Sequence, residues 1–462
     1  MRRVLIANRG EIACRVIRAA KQLGKQTIAV YSEADADALH VQLADMAVPI
    51  GPPPAARSYL DAQRVLEAAH SHGAEGVHPG YGFLSESADF ARAVEEAGLI
   101  WIGPSADCIS RMGDKNRARE IAQACGVPVL PGSGRVETGD VDTLADMGAQ
   151  VGFPLLVKAI AGGGGIGMQR VDQPEALAST VTKAQALAQK AFGDGGVYLE
   201  RFVPKARHIE IQVFGFGDGT AIHLFERDCS IQRRFQKIIE ESPAPGLPDS
   251  VLERMCAAAV AIACHQRYSG PGTVEFLVDA ASFAFFFLEM NTRIQVEHGV
   301  TEMVTGRDLV EMQIRQAEGT LAPLAQADIV RRGCAVECRI YAENPAKSFM
   351  PAPGVLDVCS FPPQVANLRV DTGVRQGDRI TPFYDPMIAK MIAWDETRPQ
   401  AFERLLAALG EARVEGIHTN IPFLTRLLRH PALCAGQLDT LLVTRELGTL
   451  LGDAAGRDAG AA

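Results

Sequence analysis

Side chains that bind cations follow a short aromatic run in the second half of the chain. Residues 285–288 lack helical spacing, and their aromatic side chains predict a buried strand. Glu289 and Asn291 follow, two residues apart, so both side chains face the same side of an extended strand. A carboxylate and an amide oxygen in this arrangement can share one hard cation. The spacing indicates a metal site, and a strand that leaves the core for a solvated loop is the alternative.

A second carboxylate is expected beside this pair. Residues 273–279 alternate well enough to predict a strand, and residues 279–282 are typical of a hairpin turn. Antiparallel pairing of the two strands brings Glu275 close to Glu289, where two carboxylates repel each other unless a divalent cation lies between them. Because these ligands are all oxygen atoms, the site favours Mg²⁺ or Mn²⁺ over Zn²⁺.

Further charged residues lie on both sides of this predicted site along the chain. Arg293, Gln295 and Glu297 continue the two-residue spacing, and such side chains are rarely buried without ions, a substrate or one another as partners. Residues 226–237 contain four cations, although the protein as a whole is acidic. An anionic substrate beside a metal explains this concentration better than a solvated basic loop.

A glycine-rich stretch indicates a phosphate-binding element. Lys158 lies near the end of a strand predicted at residues 153–159, and four consecutive glycines follow at 162–165. A Walker loop places its lysine after the glycines, so this order excludes a P-loop. It predicts instead a hairpin whose backbone N–H groups cover phosphates while Lys158 neutralises them. A flexible hairpin without a ligand is the alternative, but ligand contacts offset the entropy that four glycines lose on folding.

The composition excludes several classes of protein. The 462 residues are 47% apolar and 22% charged, and the net charge of −9 argues against nucleic-acid and membrane partners. Ten cysteines are scattered without a second pair at metal-site spacing, as is typical of reduced cytosolic proteins. The four apolar residues near the start are too few for a signal peptide, and no apolar run approaches the roughly 18 residues of a membrane helix. We therefore expect a cytoplasmic protein.

The order of predicted elements indicates an α/β and α+β protein of several domains. Strands alternate with helices over about the first hundred residues, which predicts a doubly wound parallel sheet without a dinucleotide fingerprint. The predicted segments are an N-terminal α/β domain at 1–103, a helical linker at 104–130, a glycine-rich lid at 131–203, a core with the metal site at 204–330, a C-terminal mixed β domain at 331–448, and a disordered tail at 449–462.

Several motifs together resemble one enzyme family. Residues 6–11, 78–82, the Lys158 glycine hairpin, 289–293 and 337–340 closely resemble biotin carboxylase, a member of the ATP-grasp superfamily. The match runs in the same order from residue 2 to about 448, and its last portion looks most like the subunits of acyl-CoA carboxylases. The resemblance implies an ATP-grasp fold with a glycine-rich lid.

The resemblance also implies a reaction, cofactors and partners. ATP phosphorylates bicarbonate to carboxyphosphate, which breaks down to CO₂ and phosphate, and N1′ of biotin takes up the CO₂. This is the first half-reaction of an acyl-CoA carboxylase, and it implies ATP and two Mg²⁺ or Mn²⁺ ions. No Met-Lys-Met motif for biotin attachment occurs, so we expect the carrier to be a separate chain or a part absent from this sequence. The resemblance implies a biotin carboxyl carrier protein, a carboxyltransferase subunit and a second copy in a homodimer as partners.

Matching positions receive roles from the resemblance. Glu297 would deprotonate bicarbonate, and Arg339 would stabilise the enolate oxygen of biotin, with Tyr81 as a further biotin contact. The positions that match metal ligands are Glu275, Glu289 and Asn291. The positions that match nucleotide contacts are Lys115, Lys158, Gly164, Gly165, Glu200, Val203 and His208. The positions that match the bicarbonate pocket are Lys237, Arg293, Gln295 and Val296, of which Lys237 and Arg293 are also assigned to catalysis.

Two positions depart from the family pattern. Ile166 stands where the family usually has arginine or lysine, and Phe235 stands in the nucleotide site where the family has histidine. Loss of a polar contact at each would cost about 1–3 kcal/mol of ATP binding. We therefore expect an active enzyme with weakened or altered nucleotide handling. The alternatives are another ATP-grasp carboxylate ligase, or a regulatory subunit that has kept the fold without turnover.

Overall fold

The computed structural model describes residues 1–136, 141–160, 168–234 and 236–452. Four positions singled out in the sequence, Gly164, Gly165, Ile166 and Phe235, lie outside these ranges. Most of the tail predicted at 449–462 also lies outside them. Residues 449–451 of this segment belong to helix α16 (Leu447–Leu451), which buries Leu450 against the C-terminal core.

The first region is a parallel sheet with helices on its faces. Its five strands lie in the order β3-β2-β1-β4-β5, and every neighbouring pair is parallel. This order confirms the doubly wound sheet predicted from the alternation of strands and helices. The elements are β1 (Arg3–Ile6), α1 (Gly10–Gln22), β2 (Gln26–Ser32), α2 (Leu39–Leu43), β3 (Met46–Gly51), α3 (Ala62–Ser71), β4 (Gly76–His78), α4 (Ala88–Glu96) and β5 (Ile100–Trp101).

Two helices lead from this sheet to a small second layer. The antiparallel sheet of the second layer has the order β7-β6-β8, and α7 and α8 pack against it around Leu144, Leu155 and Leu177. The elements of this part are α5 (Ala106–Gly113), α6 (Lys115–Ala124), α7 (Val141–Val151), β6 (Leu155–Ala159), β7 (Gln169–Val171), α8 (Leu177–Phe192) and β8 (Val197–Arg201).

An eight-stranded antiparallel sheet forms the centre of the molecule. Its order is β13-β12-β9-β10-β11-β14-β21-β19. The elements up to its sixth strand are β9 (Ala206–Phe216), β10 (Ala221–Arg233), β11 (Gln236–Ser242), α9 (Asp249–His265), β12 (Ser269–Asp279), β13 (Phe285–Asn291), α10 (His298–Thr305), α11 (Leu309–Ala317) and β14 (Cys334–Tyr341). The cation-rich stretch at 226–237 belongs largely to β10, so it is not a solvated loop.

The central sheet crosses the division predicted at residue 330. Ile239 of β11 pairs with Cys338 of β14, so the predicted core and C-terminal segments share one sheet. The remaining elements are β15 (Glu343–Asn344), β16 (Met350–Pro351), β17 (Gly354–Val355), β18 (Val358–Ser360), β19 (Leu368–Thr372), β20 (Arg379–Ile380), β21 (Met387–Asp395), α12 (Arg398–Glu411), β22 (Arg413–Glu415), α13 (Ile421–Leu428), α14 (Pro431–Cys434), α15 (Leu442–Arg445) and α16.

Alternation along β9 separates the core from the polar face of the sheet. Ile209, Ile211 and Val213 pack in the cluster that contains α9, while His208 and Glu210 point to the opposite face. Both faces are buried, so the polar face must satisfy its charges internally. Among the described helices, none is both long and apolar enough to cross a bilayer.

Candidate active site

The hairpin of β12 and β13 places two carboxylates opposite each other. Glu275 pairs with Glu289 in the antiparallel register, as the sequence predicted. Burial and the charge of Glu275 raise the pKa of Glu289, whereas Lys115 and His208 oppose this rise. The Nδ2 atom of Asn291 lies 2.9 Å from Glu275 Oε1. Two carboxylates that face each other and repel fit a divalent cation between them.

A lysine lies among three carboxylates on the polar face of the central sheet. Lys237 Nζ donates hydrogen bonds to Glu210 Oε2 at 2.6 Å, Glu297 Oε1 at 2.6 Å and Glu275 Oε1 at 2.9 Å. We call these four residues the Lys237 cluster. Burial opposes the charge of Lys237, but the three carboxylates raise its pKa well above the ordinary value. The cluster therefore holds its charges by mutual neutralisation.

Glu297 is ionised at neutral pH in this arrangement. Burial opposes its charge, yet Lys237, Arg339 and Arg227 hold its pKa far below the usual range. Arg339 NH2 lies 3.0 Å from Glu297 Oε2 and 2.6 Å from Glu240 Oε1. Burial raises the pKa of Glu240 to about 7, although Arg339 acts against the rise. One guanidinium thus bridges a strongly ionised carboxylate and a second one that titrates near neutrality.

The predicted bicarbonate residues surround this cluster. Arg293 donates from Nε to Glu86 Oε2 at 3.0 Å and from NH2 to Asn291 Oδ1 at 2.9 Å. Gln295 Nε2 donates to Glu275 Oε1 at 2.9 Å, and the Val296 carbonyl accepts a hydrogen bond from Lys390. These contacts place the guanidinium of Arg293 next to the hairpin that carries the candidate metal ligands, where an anion can be held.

His208 also faces the cluster. Its Nε2 lies 3.0 Å from Glu275 Oε2, and its Nδ1 lies 2.8 Å from Gln232 Nε2. Burial lowers its pKa, but the stronger combined effect of Glu275 and the other carboxylate partners raises it. Three possible ligand atoms lie within 4.8 Å of one another, one each from His208, Glu210 and Glu275. These residues form a further candidate metal group.

The residues predicted for the nucleotide lie mainly on the small sheet and its connection. Lys158 of β6 forms an ion pair with Glu200 of β8, and Arg119 NH1 lies 3.5 Å from Glu200 Oε2. Val203 packs with Leu130 and Ala206 just after β8. Lysine and arginine side chains on one carboxylate leave a local excess of positive charge, which favours phosphate groups.

Models of three protein families match successive parts of the chain. "Biotin carboxylase, N-terminal domain" matches residues 1–109, "Carbamoyl-phosphate synthase L chain, ATP binding domain" matches 114–325, and "Biotin carboxylase C-terminal domain" matches 337–445. Biotin carboxylase 1 of Bacillus subtilis is 49% identical over 441 residues, which cover 95% of this chain and 97% of that protein. The chain belongs to the biotin carboxylase family.

Other members of the biotin carboxylase family are similarly close. The mitochondrial methylcrotonoyl-CoA carboxylase subunit alpha of Glycine max is 48% identical over 98% of this chain, but the match spans only 62% of that protein. The biotin carboxylase domain dimer of Hydrogenobacter thermophilus 2-oxoglutarate carboxylase, solved with MgADP, ADP and bicarbonate, has a TM-score of 0.90 and 42% identity and covers 97% of this chain and 98% of that one. These relatives confirm the predicted ATP-grasp fold.

Within this biotin carboxylase fold, the predicted site residues fall into two groups. The Lys237 cluster, Arg339 and the metal-binding hairpin form one connected network. Lys158 and Glu200 are joined to each other on the separate small sheet. Tyr81 donates a 2.5 Å hydrogen bond to Glu11 Oε2. Gly164, Gly165 and Phe235, also assigned to the nucleotide, lie outside the described residues.

Sequence reasoning did not single out several polar residues of the site. Arg227 is fully buried and donates to Glu210, Gln212, Gln295, Thr273 and Thr301. Glu86 follows the glycine loop after β4 and reaches Arg293. The alternation of residues 208–214 was the available signal for Glu210, because it places Glu210 and His208 on one face. The partners of Arg227 come from four other parts of the chain, and no local pattern joins them.

Proposed function

We propose that this chain carboxylates biotin at N1′ with ATP and bicarbonate, through carboxyphosphate. Membership of the biotin carboxylase family supports this reaction, and so does the set of buried charges around Glu297. The observation that carries the assignment is the contact of one ionised carboxylate with both Lys237 and Arg339. This arrangement provides a proton acceptor between a cation for bicarbonate and a cation for biotin.

Glu297 acts as the base that removes the bicarbonate proton. In the ligand-free protein its pKa is depressed, because burial is outweighed by Lys237, Arg339 and Arg227, so it is ionised but weakly basic. A bicarbonate anion bound between Lys237 and Arg293 adds negative charge and competes for the Lys237 hydrogen bonds. Both effects raise the pKa of Glu297 when the substrate is present. The deprotonated bicarbonate then attacks the γ-phosphorus of ATP, and ADP leaves.

Arg339 acts in the second stage of the reaction. Carboxyphosphate breaks down to CO₂ and phosphate, the released phosphate accepts the N1′ proton of biotin, and N1′ then takes up the CO₂. Negative charge develops on the ureido oxygen of biotin as N1′ loses its proton, and a guanidinium offers several donors in a fixed plane to that oxygen. The ion pair with Glu240 holds the Arg339 side chain while Glu297 changes its charge.

Glu275, Glu289 and Asn291 are assigned to Mg²⁺, which would neutralise charge on the nucleotide phosphates. The buried, mutually repelling carboxylates support this assignment. The family resemblance supports three further proposals. They are Mn²⁺ as an alternative metal, a second metal ion, and nucleotide contacts by Lys115, Lys158, Glu200, Val203 and His208.

The partners are also proposed. The relative from Glycine max is an acyl-CoA carboxylase subunit longer than this chain, so we infer that a biotin carboxyl carrier and a carboxyltransferase complete the reaction. The dimeric relative from Hydrogenobacter thermophilus supports a homodimer. The segment boundaries stay predictions. The cytoplasmic location also stays a prediction, since the relatives include mitochondrial proteins.

The deciding experiment is ATP hydrolysis by the purified protein with Mg²⁺ and bicarbonate, with and without free biotin. We expect release of ADP and phosphate that requires bicarbonate and rises with biotin, together with transfer of labelled bicarbonate carbon to biotin. The Glu297→Gln variant is the matched control for background ATPase. ATP binding without turnover would favour a regulatory subunit, and turnover with another carboxylate in place of bicarbonate would favour a different ligase.

A further inference from the structure

A buried lysine joins three segments of the chain beside the active site. Lys390 of β21 is fully buried, and its Nζ donates to the Val296 carbonyl at 2.6 Å. The same atom lies 3.3 Å from Glu11 Oε1 and 3.8 Å from Asp371 Oδ2. Glu11 comes from α1 of the parallel sheet region, whereas Val296 follows the metal-binding hairpin. One ammonium group thus connects the N-terminal, central and C-terminal parts.

The carbonyl that Lys390 holds belongs to the peptide unit before Glu297. A peptide unit is planar, so fixing the Val296 oxygen also fixes the direction of the Glu297 N–Cα bond. Lys390 is also the direct cross-strand partner of Arg339 in the pairing of β14 with β21. Its position therefore determines the backbone of the base and lies next to the strand that carries the biotin-binding arginine.

Glu11, the ion-pair partner of Lys390, also contacts Tyr81. Glu11 uses Oε1 for Lys390 and Oε2 to accept a 2.5 Å hydrogen bond from the Tyr81 hydroxyl. Glu11 therefore reaches the base side through its ion pair with Lys390, and it reaches the ring expected to contact biotin through a hydrogen bond. Burial acts against the Lys390 charge, but Glu11 and neighbouring carboxylates raise its pKa, so the ammonium stays protonated.

We propose that Lys390 and Glu11 are positioning residues that set the base Glu297 and the biotin contact Tyr81 in one fixed arrangement. This inference rests on the proposed carboxylation of biotin and adds residues that touch neither substrate. A buried ion pair contributes little net stability compared with apolar side chains of similar size. Its role at this junction is therefore geometric, since a misplacement of about 1 Å can cost about a hundredfold in rate.

The test uses the double variant Glu11→Gln/Lys390→Met, which removes both charges together and leaves no new unpaired ion between them. We expect kcat for biotin carboxylation to fall about tenfold to a hundredfold, with KM for ATP within about twofold of the parent. The matched control is Lys25→Met, since Lys25 also bonds a carbonyl, that of Met1, and a glutamate, Glu318, far from the site. The control should keep the parent kcat.

Crystal structures of the parent and the double variant give a readout that does not depend on turnover. We expect the Val296–Glu297 peptide unit to rotate or shift in the variant while the Lys237 cluster remains folded. An unchanged peptide unit, or an unchanged kcat, would overturn the positioning role. If the parent itself fails to carboxylate biotin, the proposed function is wrong, yet the comparison of the two peptide units still decides whether Lys390 holds this backbone.

Discussion

The Lys237 cluster and the small β6–β8 sheet meet charged ligands in different ways. In the cluster, every carboxylate contacts Lys237, and the four residues come from four segments of the central sheet and the loop after it. On the small sheet, Lys158 forms an ion pair with one carboxylate among the described residues, Glu200 on the neighbouring strand. A ligand that enters the cluster must replace contacts that already exist. A ligand at the small sheet adds contacts to the Lys158–Glu200 ion pair.

This difference predicts two classes of mutational effect. Removing one member of the cluster leaves its partners buried and unpaired, which costs about 3–5 kcal/mol and disturbs the reacting groups directly. Removing a charge from the small sheet weakens ATP binding and leaves the bond-making groups in place. Substitutions in the cluster should therefore lower kcat, and substitutions on the small sheet should raise KM.

The largest effect is expected for Glu297→Gln. The amide keeps the size of the side chain but cannot accept the bicarbonate proton, so kcat should fall by about a hundredfold to ten-thousandfold. KM for ATP should change little, because the small sheet is untouched. Steady-state ATP cleavage with bicarbonate and biotin measures both constants. Glu311→Gln, which removes an exposed ion pair with Arg315, is the control and should behave as the parent. Retention of the parent kcat would exclude Glu297 as the base.

Arg339→Met should affect the biotin stage more than the bicarbonate stage. Loss of the donor to the biotin oxygen lowers the biotin-dependent rate by about a hundredfold to a thousandfold. Bicarbonate-dependent ATP cleavage without biotin should fall much less, although Glu240 and Glu297 lose a partner. The ratio of the two rates is the measurement, and Arg315→Met is the control. Equal losses in both rates would show that Arg339 acts only through Glu297.

The pairing of β12 with β13 was predictable because its information is local. Alternation and turn residues placed Glu275 opposite Glu289 with only a short loop between the strands, and the register is as expected. The sheet in the N-terminal region was predictable for the same reason, since successive strands and helices alternate within about a hundred residues.

The rest of the site depends on contacts that no short pattern contains. Arg339 meets Glu240 because β11 pairs with β14, across nearly a hundred residues of chain. A period of two predicts which face a side chain takes but not which strand lies beside it. The shared sheet across residue 330 was missed for this reason, as was the contact between Glu11 and Lys390.

Glu289→Gln tests whether the hairpin is built for a cation. Removing one of two repelling carboxylates should leave the melting temperature in EDTA unchanged or higher, because burial and Glu275 already raise the pKa of Glu289. The same variant should need about tenfold more Mg²⁺ for half-maximal ATP cleavage. Thermal melts with and without Mg²⁺ and a Mg²⁺ titration provide the data. A lower melting temperature in EDTA would mean that Glu289 stabilises the metal-free protein.

Lys158→Met should show the behaviour expected of the small sheet. Loss of one partly exposed cation from the proposed phosphate site weakens ATP binding by about 1–2 kcal/mol. KM for ATP should therefore rise about tenfold, while kcat stays within about threefold. Initial rates over a range of ATP concentrations separate the two constants. Lys183→Met, a change elsewhere on the same region in helix α8, is the control. A fall in kcat with unchanged KM would contradict the division between the two regions.

The smallest effect is a pH dependence of stability that comes from a buried histidine on the cluster side. His298 follows Glu297 and is fully buried, and burial with the nearby Lys390 lowers its pKa to about 3. The lid predicted at residues 131–203 contains no histidine in its sequence. Because the unfolded chain binds a proton at His298 below about pH 6.5 and the folded protein does not, acid favours unfolding. The stabilising contribution is present above pH 6.5 and is lost as the pH falls towards 3.

The His298→Gln variant isolates this contribution from other titrating groups. Between pH 7.5 and 5.5, the parent should lose about 1.4 kcal/mol of unfolding free energy relative to the variant, since one pH unit below the unfolded pKa corresponds to that amount. Denaturant unfolding of both proteins at the two pH values gives the difference, in which other groups cancel. An exposed histidine, changed as His418→Gln, should give no such difference. If the parent and His298→Gln respond equally to pH, the ring is protonated in the folded protein and Lys390 does not exclude its charge.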